Sequence, residues 1–148
     1  SGIGYALAEI GRASGEARLL DAARAALAQD DSEFNDAIGL WRDTRMDGEH
    51  YALGWCNGAA GFLLARGACW DLLDETQRGR ARIAFRRSCE WFERTPDDSL
   101  CHGTAGIALA LAETSATLGE SVPQHVRMPA PRADRFRSGW SQDPDNLG

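Results

Sequence analysis

The helical repeat of this chain is clearest in Ala59-Ala60-Gly61-Phe62-Leu63-Leu64-Ala65, where two small residues and a glycine lead into an apolar run. Variants of the pattern occur at Ser1-Gly2-Ile3-Gly4-Tyr5-Ala6-Leu7 and at Thr104-Ala105-Gly106-Ile107-Ala108-Leu109-Ala110. Successive copies are 59 and 45 residues apart, and repeats built from two helices are about 40–47 residues long. The spacing therefore predicts a series of helical hairpins.

The two helices of each predicted hairpin differ in their apolar surfaces. The first helix carries small and apolar residues on nearly every side, as in residues 105–118, and this pattern predicts that it is buried all round. The second is amphipathic, as in residues 16–29 and 75–94, with an apolar stripe and a charged face. No segment alternates with the period of two that is typical of a strand. We therefore expect an all-α fold whose helices follow the order inner, outer, inner, outer, inner.

We expect the helical unit to span residues 1–118. Residues 30–53 are loop-rich, with one short helix expected near residues 33–40. Residues 119–148 hold four of the five prolines and are expected to form an irregular or disordered tail. The chain begins at Ser1 without an initiator Met, within a predicted helix start, so we expect it to be a fragment of a larger protein.

Composition narrows the class of protein. With 148 residues, of which 43% are hydrophobic, the chain can bury a substantial core. A net charge of -6 argues against a nucleic-acid partner, because phosphate binding needs a basic surface. No apolar run approaches the roughly 20 residues of a membrane span, and no secretory signal is visible, so the expected location is the cytoplasm. Four cysteines in such a reducing compartment are more often metal ligands, catalytic thiols or buried small residues than disulfide partners.

Two cysteines stand just before the apolar helices, in Gly54-Trp55-Cys56-Asn57-Gly58 and in Ser99-Leu100-Cys101-His102-Gly103. Each precedes the glycine of its repeat by five residues, so Cys56 and Cys101 should lie at the same end of neighbouring hairpins. Together with His102 they would form a set of two thiolates and one imidazole, which suits zinc and leaves its fourth position free. Burial of the cysteines as small apolar residues is the alternative, and the residues alone leave both interpretations open.

The remaining candidates are better explained by structure than by chemistry. Cys69 and Cys89 lie within helical segments, where packing is the preferred interpretation. His50 and Tyr51 offer an acid or a hydrogen-bond donor, but a solvated loop is preferred. Trp55 is expected to wedge the start of its helix into the core, with substrate contact as the alternative.

The two cysteine segments resemble the zinc-binding signatures of the LanC-like family, the lanthionine synthetase cyclases. Residues 1–7 are similar to the second half of the family's earlier His-Gly-x-Ser-Gly motif. Leu40-Trp41-Arg42-Asp43 resembles the Trp-x-Asp stretch of its bifunctional enzymes. The resemblance covers residues 1–118 and indicates the C-terminal part of a bifunctional lanthipeptide synthetase.

The resemblance implies a partial α/α toroid, about three of the family's seven hairpins, with zinc (Zn²⁺) on Cys56, Cys101 and His102. The implied reaction adds a cysteine thiol of a dehydrated lanthipeptide precursor, the peptide substrate, to dehydroalanine or dehydrobutyrine and forms a thioether ring. The family's acid and base residues, a His and an Asp, precede Ser1, so the resemblance assigns no catalytic residue to this chain.

Two departures from the family bear on turnover more than on metal binding. Asn57 stands where members commonly carry Tyr or His, and Ala52 stands where some carry Arg. The alternatives are a catalytically inactive remnant or peptide-binding module of the same fold, and a LanC-like protein that adds glutathione to dehydrated residues. An α/α-toroid glycosidase needs paired carboxylates across a cleft, and no acidic pair in the sequence suggests one.

Overall fold

The computed structural model describes residues 1–95 and 98–128, and within these ranges the protein forms five α-helices. The helices are α1 (Gly2–Ser14), α2 (Ala17–Asp30), α3 (Ala59–Ala68), α4 (Glu75–Trp91) and α5 (Thr104–Leu118). Short 3-10 turns occupy Asp31–Glu33, Trp70–Leu72 and Phe92–Arg94. The predicted all-α architecture is confirmed. Within the described ranges, no helix combines the length and apolarity that crossing a bilayer requires.

The helices form two layers. The helices α1, α3 and α5 pack side by side in chain order, while α2 packs on α1, and α4 packs on both α3 and α5. The predicted order of inner and outer helices is therefore observed. The described residues contain two hairpins and the first helix of the next one, as expected for an arc of an α/α toroid.

The core lies between these layers. Leu63 of α3, Phe85 of α4 and Leu111 of α5 are each at most 1% exposed. Burying one side chain of this size contributes about 1.5–3 kcal/mol to stability. A second cluster joins the first hairpin to the 3-10 turn that follows α3, and it contains Ala8, Ala23, Leu27, Cys69, Leu72 and Leu73.

The inner helices are not buried on every side. Ile3 and Ile10 of α1 are 74% and 55% exposed, and Leu109 of α5 is 43% exposed. The prediction of burial all round is therefore wrong for these helices. The physical reason is that a helix in such an array is covered only where another element packs on it.

A small β-hairpin replaces the short helix predicted near residues 33–40. Strand β1 (Phe34–Asn35) pairs antiparallel with β2 (Leu40–Trp41). The Asn35 carboxamide oxygen accepts hydrogen bonds from two backbone amides of the turn, and Gly39 has a φ of +80°. Both features stabilise a turn and interrupt a helix, so the helical prediction is wrong here.

A buried ion pair fastens this β-hairpin to α3. The fully buried Arg66 donates from Nη2 to Asp31 Oδ1 at 2.6 Å, and its guanidinium lies 4.3 Å from the centre of the Trp41 ring. Trp41 Nε1 donates to the same Asp31 oxygen at 3.0 Å. Burial lowers the pKa of Arg66, and the neighbouring Asp31 carboxylate opposes that change. Trp41 also stacks on Phe62 of the same helix, with ring centroids 4.8 Å apart, so β2 is held against α3.

The last described segment, residues 119–128, forms no helix or strand, although Val126 is 6% exposed within the core. The predicted tail beyond residue 128 lies outside the described residues. The domain boundary at residue 118 stays a prediction.

Helix α4 begins with a capping box, which gives a stability prediction. The Asp74 carboxylate accepts a hydrogen bond from the Gln77 amide at 2.8 Å, and the Gln77 side chain accepts one from the Asp74 amide at 3.0 Å. We expect Asp74→Ala to lower the free energy of unfolding by about 1 kcal/mol, because it leaves a helix amide without a partner. Urea denaturation measures the change, with the exposed Thr76→Ala as the matched control. Equal effects of the two substitutions would contradict the role of the cap.

Candidate metal centre

Cys56, Cys101 and His102 meet at the N-terminal ends of α3 and α5. Cys56 Sγ lies 3.0 Å from His102 Nε2, and Cys101 Sγ lies 3.9 Å from the same nitrogen. One ligand atom from each residue lies within 4.8 Å of the other two. Sulfur and nitrogen ligands of a tetrahedral zinc are themselves about 3.5–3.8 Å apart. The structure brings the three residues singled out in the sequence to a spacing that suits one zinc ion.

The turns that carry the two cysteines share one backbone geometry. A Cβ added at Gly61 would lie 2.0 Å from the Trp55 carbonyl oxygen, and one added at Gly106 would lie 1.9 Å from the Leu100 carbonyl oxygen. In both turns, the residue before the cysteine lies against the backbone of the helix that follows. The glycine five residues after each cysteine provides the space for this contact.

A backbone hydrogen bond joins the two turns. The Trp55 amide donates to the Cys101 carbonyl oxygen at 2.7 Å. Gly54 lies so close to the second turn that an added Cβ would be 3.0 Å from that carbonyl oxygen and 3.2 Å from His102 Cα. Direct contact between the two backbones therefore sets the distance from the Cys56 thiol to Cys101 and His102.

The electrostatics of the site favour a bound cation. Burial raises the pKa of the Cys56 thiol, and the adjacent Cys101 thiol raises it further, while the Arg45 guanidinium opposes the shift. Two thiols in one site resist ionising together, because their thiolates repel each other. A divalent cation reverses this, since coordination removes the protons of its thiol ligands. The donor set thus fits zinc chemically as well as in its spacing.

Asp43 is connected to the candidate metal site by a hydrogen bond from Asn57, and the sequence did not predict this connection. Asn57 Nδ2 donates to Asp43 Oδ2 at 3.2 Å, and the Cys56 thiol donates to Asn57 Oδ1 at 3.3 Å. Arg45 donates to both Asp43 oxygens, at 3.0 and 2.9 Å, and these hydrogen bonds hold the pKa of Asp43 well below its usual range. The Trp-x-Asp resemblance, which includes Asp43, was the only signal for it in the sequence.

Cavities lie next to two of the candidate ligands, Cys56 and His102. One of about 260 Å³ is lined by Cys56, Asn57 and Trp55 among others, and it shares Trp55 with a cavity of about 540 Å³ between α1, α3 and α5. Another of about 330 Å³ is lined by His102, Asn57 and Arg94 among others. The space beside Cys56 and His102 is therefore large enough for part of a peptide.

Trp55 does not wedge its helix into the core. Its side chain is 47% exposed, and it lines both of the cavities that share it. The prediction of a core wedge is wrong, because the close contact at this turn is made by the Trp55 carbonyl oxygen instead of its ring. The alternative, contact with a ligand, remains compatible with its position.

Cys69, Cys89 and His50 lie where the sequence predicts, whereas Tyr51 does not. Cys69 and Cys89 are 0% and 5% exposed, and burial raises the pKa of the Cys89 thiol to about 11. Their packing role is confirmed. His50 is exposed. Tyr51 is half-buried against the core, its hydroxyl accepts a hydrogen bond from Asn35 Nδ2 at 2.8 Å, and it lines the same cavity as His102, so the prediction of a solvated loop is wrong for Tyr51.

Comparison with known proteins identifies a family. A family model described as lanthionine synthetase C-like protein matches residues 1–140. Comparisons with curated proteins and with solved structures find no match. The matched region includes both cysteine turns and Asp43.

Proposed function

The chain belongs to the lanthionine synthetase C-like family, and on this basis we propose that it is the zinc-holding part of a lanthionine cyclase domain. The proposed substrate is a dehydrated lanthipeptide precursor. A cysteine thiol of that peptide adds to dehydroalanine or dehydrobutyrine and closes a thioether ring. One observation carries the proposal: the ligand atoms of Cys56, Cys101 and His102 lie within 4.8 Å of one another.

These three residues would hold the zinc, leaving one tetrahedral position for the substrate. A zinc ion held there would lower the pKa of a bound thiol, so that the peptide cysteine would be a nucleophile near neutral pH. Two soft sulfur donors favour zinc over magnesium or calcium. Cys56 and Cys101 are free thiols at close range, and the cytoplasm, our proposed location, keeps such pairs reduced.

The proposed reaction needs a new C–S bond and a proton transfer. The substrate sulfur attacks the β-carbon of the dehydro residue, and the electron pair of the C=C bond moves towards the neighbouring carbonyl group. The α-carbon then takes up one proton, which replaces the proton that the thiol lost. Within this chain, the residues next to the cavities position the peptide, and we assign no residue to the protonation step.

A cyclisation assay tests the proposed function. Dehydrated precursor peptide is incubated with the full-length protein, and free thiols are then alkylated and counted by mass spectrometry. We expect thiols to disappear from the peptide without any change in the peptide's own mass, and we expect Cys101→Ala to abolish this. Retention of all thiols with the wild-type, zinc-loaded protein would exclude the cyclase function.

A peptide-binding module without turnover is the second candidate. Two departures from the family favour it. Asn57 stands where members commonly carry Tyr or His, and Ala52 stands where some members carry Arg. The same assay separates the two candidates when it is combined with a titration of a fluorescently labelled precursor. Saturable binding with all thiols retained would support the module.

A further inference from the structure

We propose that Asp43 is a positioning residue of the metal centre, which acts through the Asn57 carboxamide on the turn that carries Cys56. The inference rests on the proposed zinc site and adds a residue outside the three ligands. It starts from the chain of contacts that runs from Arg45 through Asp43 and Asn57 to the Cys56 thiol.

The Asp43 carboxylate is held in one place. Its side chain is 7% exposed, and Arg45 donates to it from the backbone amide at 3.1 Å as well as from the guanidinium. The Asp43 amide donates to the His50 carbonyl oxygen at 2.8 Å, which closes the loop around it. Two residues upstream, Trp41 is 2% exposed beneath Arg66. The carboxylate is therefore anchored to the core and to its own loop.

The orientation of the Asn57 carboxamide follows from this anchor. An ionised carboxylate can only accept hydrogen bonds, so Asn57 must turn its NH2 group towards Asp43. In the metal-free protein its oxygen accepts the Cys56 thiol hydrogen at 3.3 Å. Zinc binding removes that hydrogen, so what supports zinc binding is the contact between Asn57 and Asp43, which holds the turn in place. Without the Asp43 side chain, the Asn57 carboxamide loses the partner that holds it and its turn.

The same contact joins two segments that are distant in sequence. Asp43 follows β2, whereas Asn57 lies in the turn before α3, whose Trp55 amide is bonded to the Cys101 carbonyl oxygen. Holding this turn in place before zinc binds reduces the conformational entropy that is lost when the three ligands are brought around the ion. Outer residues that orient metal ligands typically contribute about 10–100-fold to metal affinity.

A zinc competition titration tests the inference. Zinc-loaded wild-type protein and variants are titrated with a chromophoric chelator. We expect Asp43→Ala to weaken zinc affinity at least about tenfold. We expect Asp43→Asn, whose amide still offers Asn57 a hydrogen-bond partner, to stay within about threefold of wild type. The matched control is Asp47→Ala, an exposed acid of the same loop, which should leave the affinity unchanged.

Cobalt substitution and a double variant separate positioning from a general loss of structure. With cobalt(II) in the site, we expect Asp43→Ala to change the visible d–d band pattern, while the circular dichroism of the metal-free protein stays that of wild type. Asn57→Ala should weaken zinc binding as much as Asp43→Ala, and the double variant no further, because the two residues act in series.

Several results would overturn the inference. One is an unchanged zinc affinity in Asp43→Ala. Another is a loss of zinc affinity in Asp47→Ala or in Asp43→Asn that equals the loss in Asp43→Ala. The third is a double variant in which the two single losses of affinity add. If Asp43→Ala does not fold, Asn57→Ala decides, and an unchanged affinity there overturns the inference. A wild-type protein without zinc removes the proposed function as well, whereas a wild-type zinc site that is indifferent to Asp43 removes the inference alone.

Discussion

Gly106→Ala is expected to lower the free energy of unfolding by more than about 3 kcal/mol, and Gly61→Ala to do the same. The added Cβ would lie 1.9 Å from the Leu100 carbonyl oxygen at Gly106 and 2.0 Å from the Trp55 carbonyl oxygen at Gly61. Both obstacles are backbone atoms, so a change of side-chain rotamer cannot relieve the contact. The cysteine turn must move away from its helix, and the hydrogen bond from the Trp55 amide to the Cys101 carbonyl oxygen must adjust with it.

Urea denaturation followed by circular dichroism measures this effect, and α4 provides the matched control. A Cβ at Gly79, in the interior of that helix, would meet nothing within 4 Å. Gly79→Ala is therefore expected to stabilise the protein by about 0.5–1 kcal/mol, since alanine restricts the unfolded chain. If Gly106→Ala and Gly79→Ala had similar effects, the close contact in the cysteine turns would be refuted.

Cys101→Ala is expected to weaken zinc binding by about a thousandfold. Zinc sites in small proteins contribute about 10–16 kcal/mol, so one ligand of three accounts for roughly 4 kcal/mol, which corresponds to this factor. Cys56→Ala should have the same effect, because the two cysteines hold equivalent positions in their turns. Zinc content by inductively coupled plasma mass spectrometry, together with a chelator competition, measures the loss.

Cys89→Ala is the matched control, since it also removes a thiol but from a side chain that is 5% exposed in the core. It should keep the zinc content of wild type. Wild-type protein without bound zinc, or Cys101→Ala with undiminished zinc, would rule out this metal centre.

Much of the fold could be predicted because the repeat places similar residues at similar positions. The small-small-glycine pattern predicts where α1, α3 and α5 begin, and the five-residue spacing predicts that Cys56 and Cys101 occupy equivalent places. These predictions succeed because periodicity and glycine spacing depend on local backbone geometry, which the chain carries with it.

The errors concern features that depend on distant neighbours. The helix predicted near residues 33–40 gave way to a β-hairpin, because the Asn35 carboxamide and Gly39 stabilise a turn and Trp41 packs under Arg66. Trp55 points into cavities instead of the core, since the backbone carbonyl makes the contact with its helix. Neither outcome leaves a periodic trace in the sequence.

The order of the helices and the residue types that suit zinc follow from local patterns in the chain. The meeting of Cys56 with His102 at 3.0 Å, and the reach of Asp43 to the same site through Asn57, depend on how the loop after β2 packs against the turn before α3. Side chains 46 and 14 residues apart are brought together by burial and by backbone contacts between segments, and those contacts exist only once the hairpins have packed.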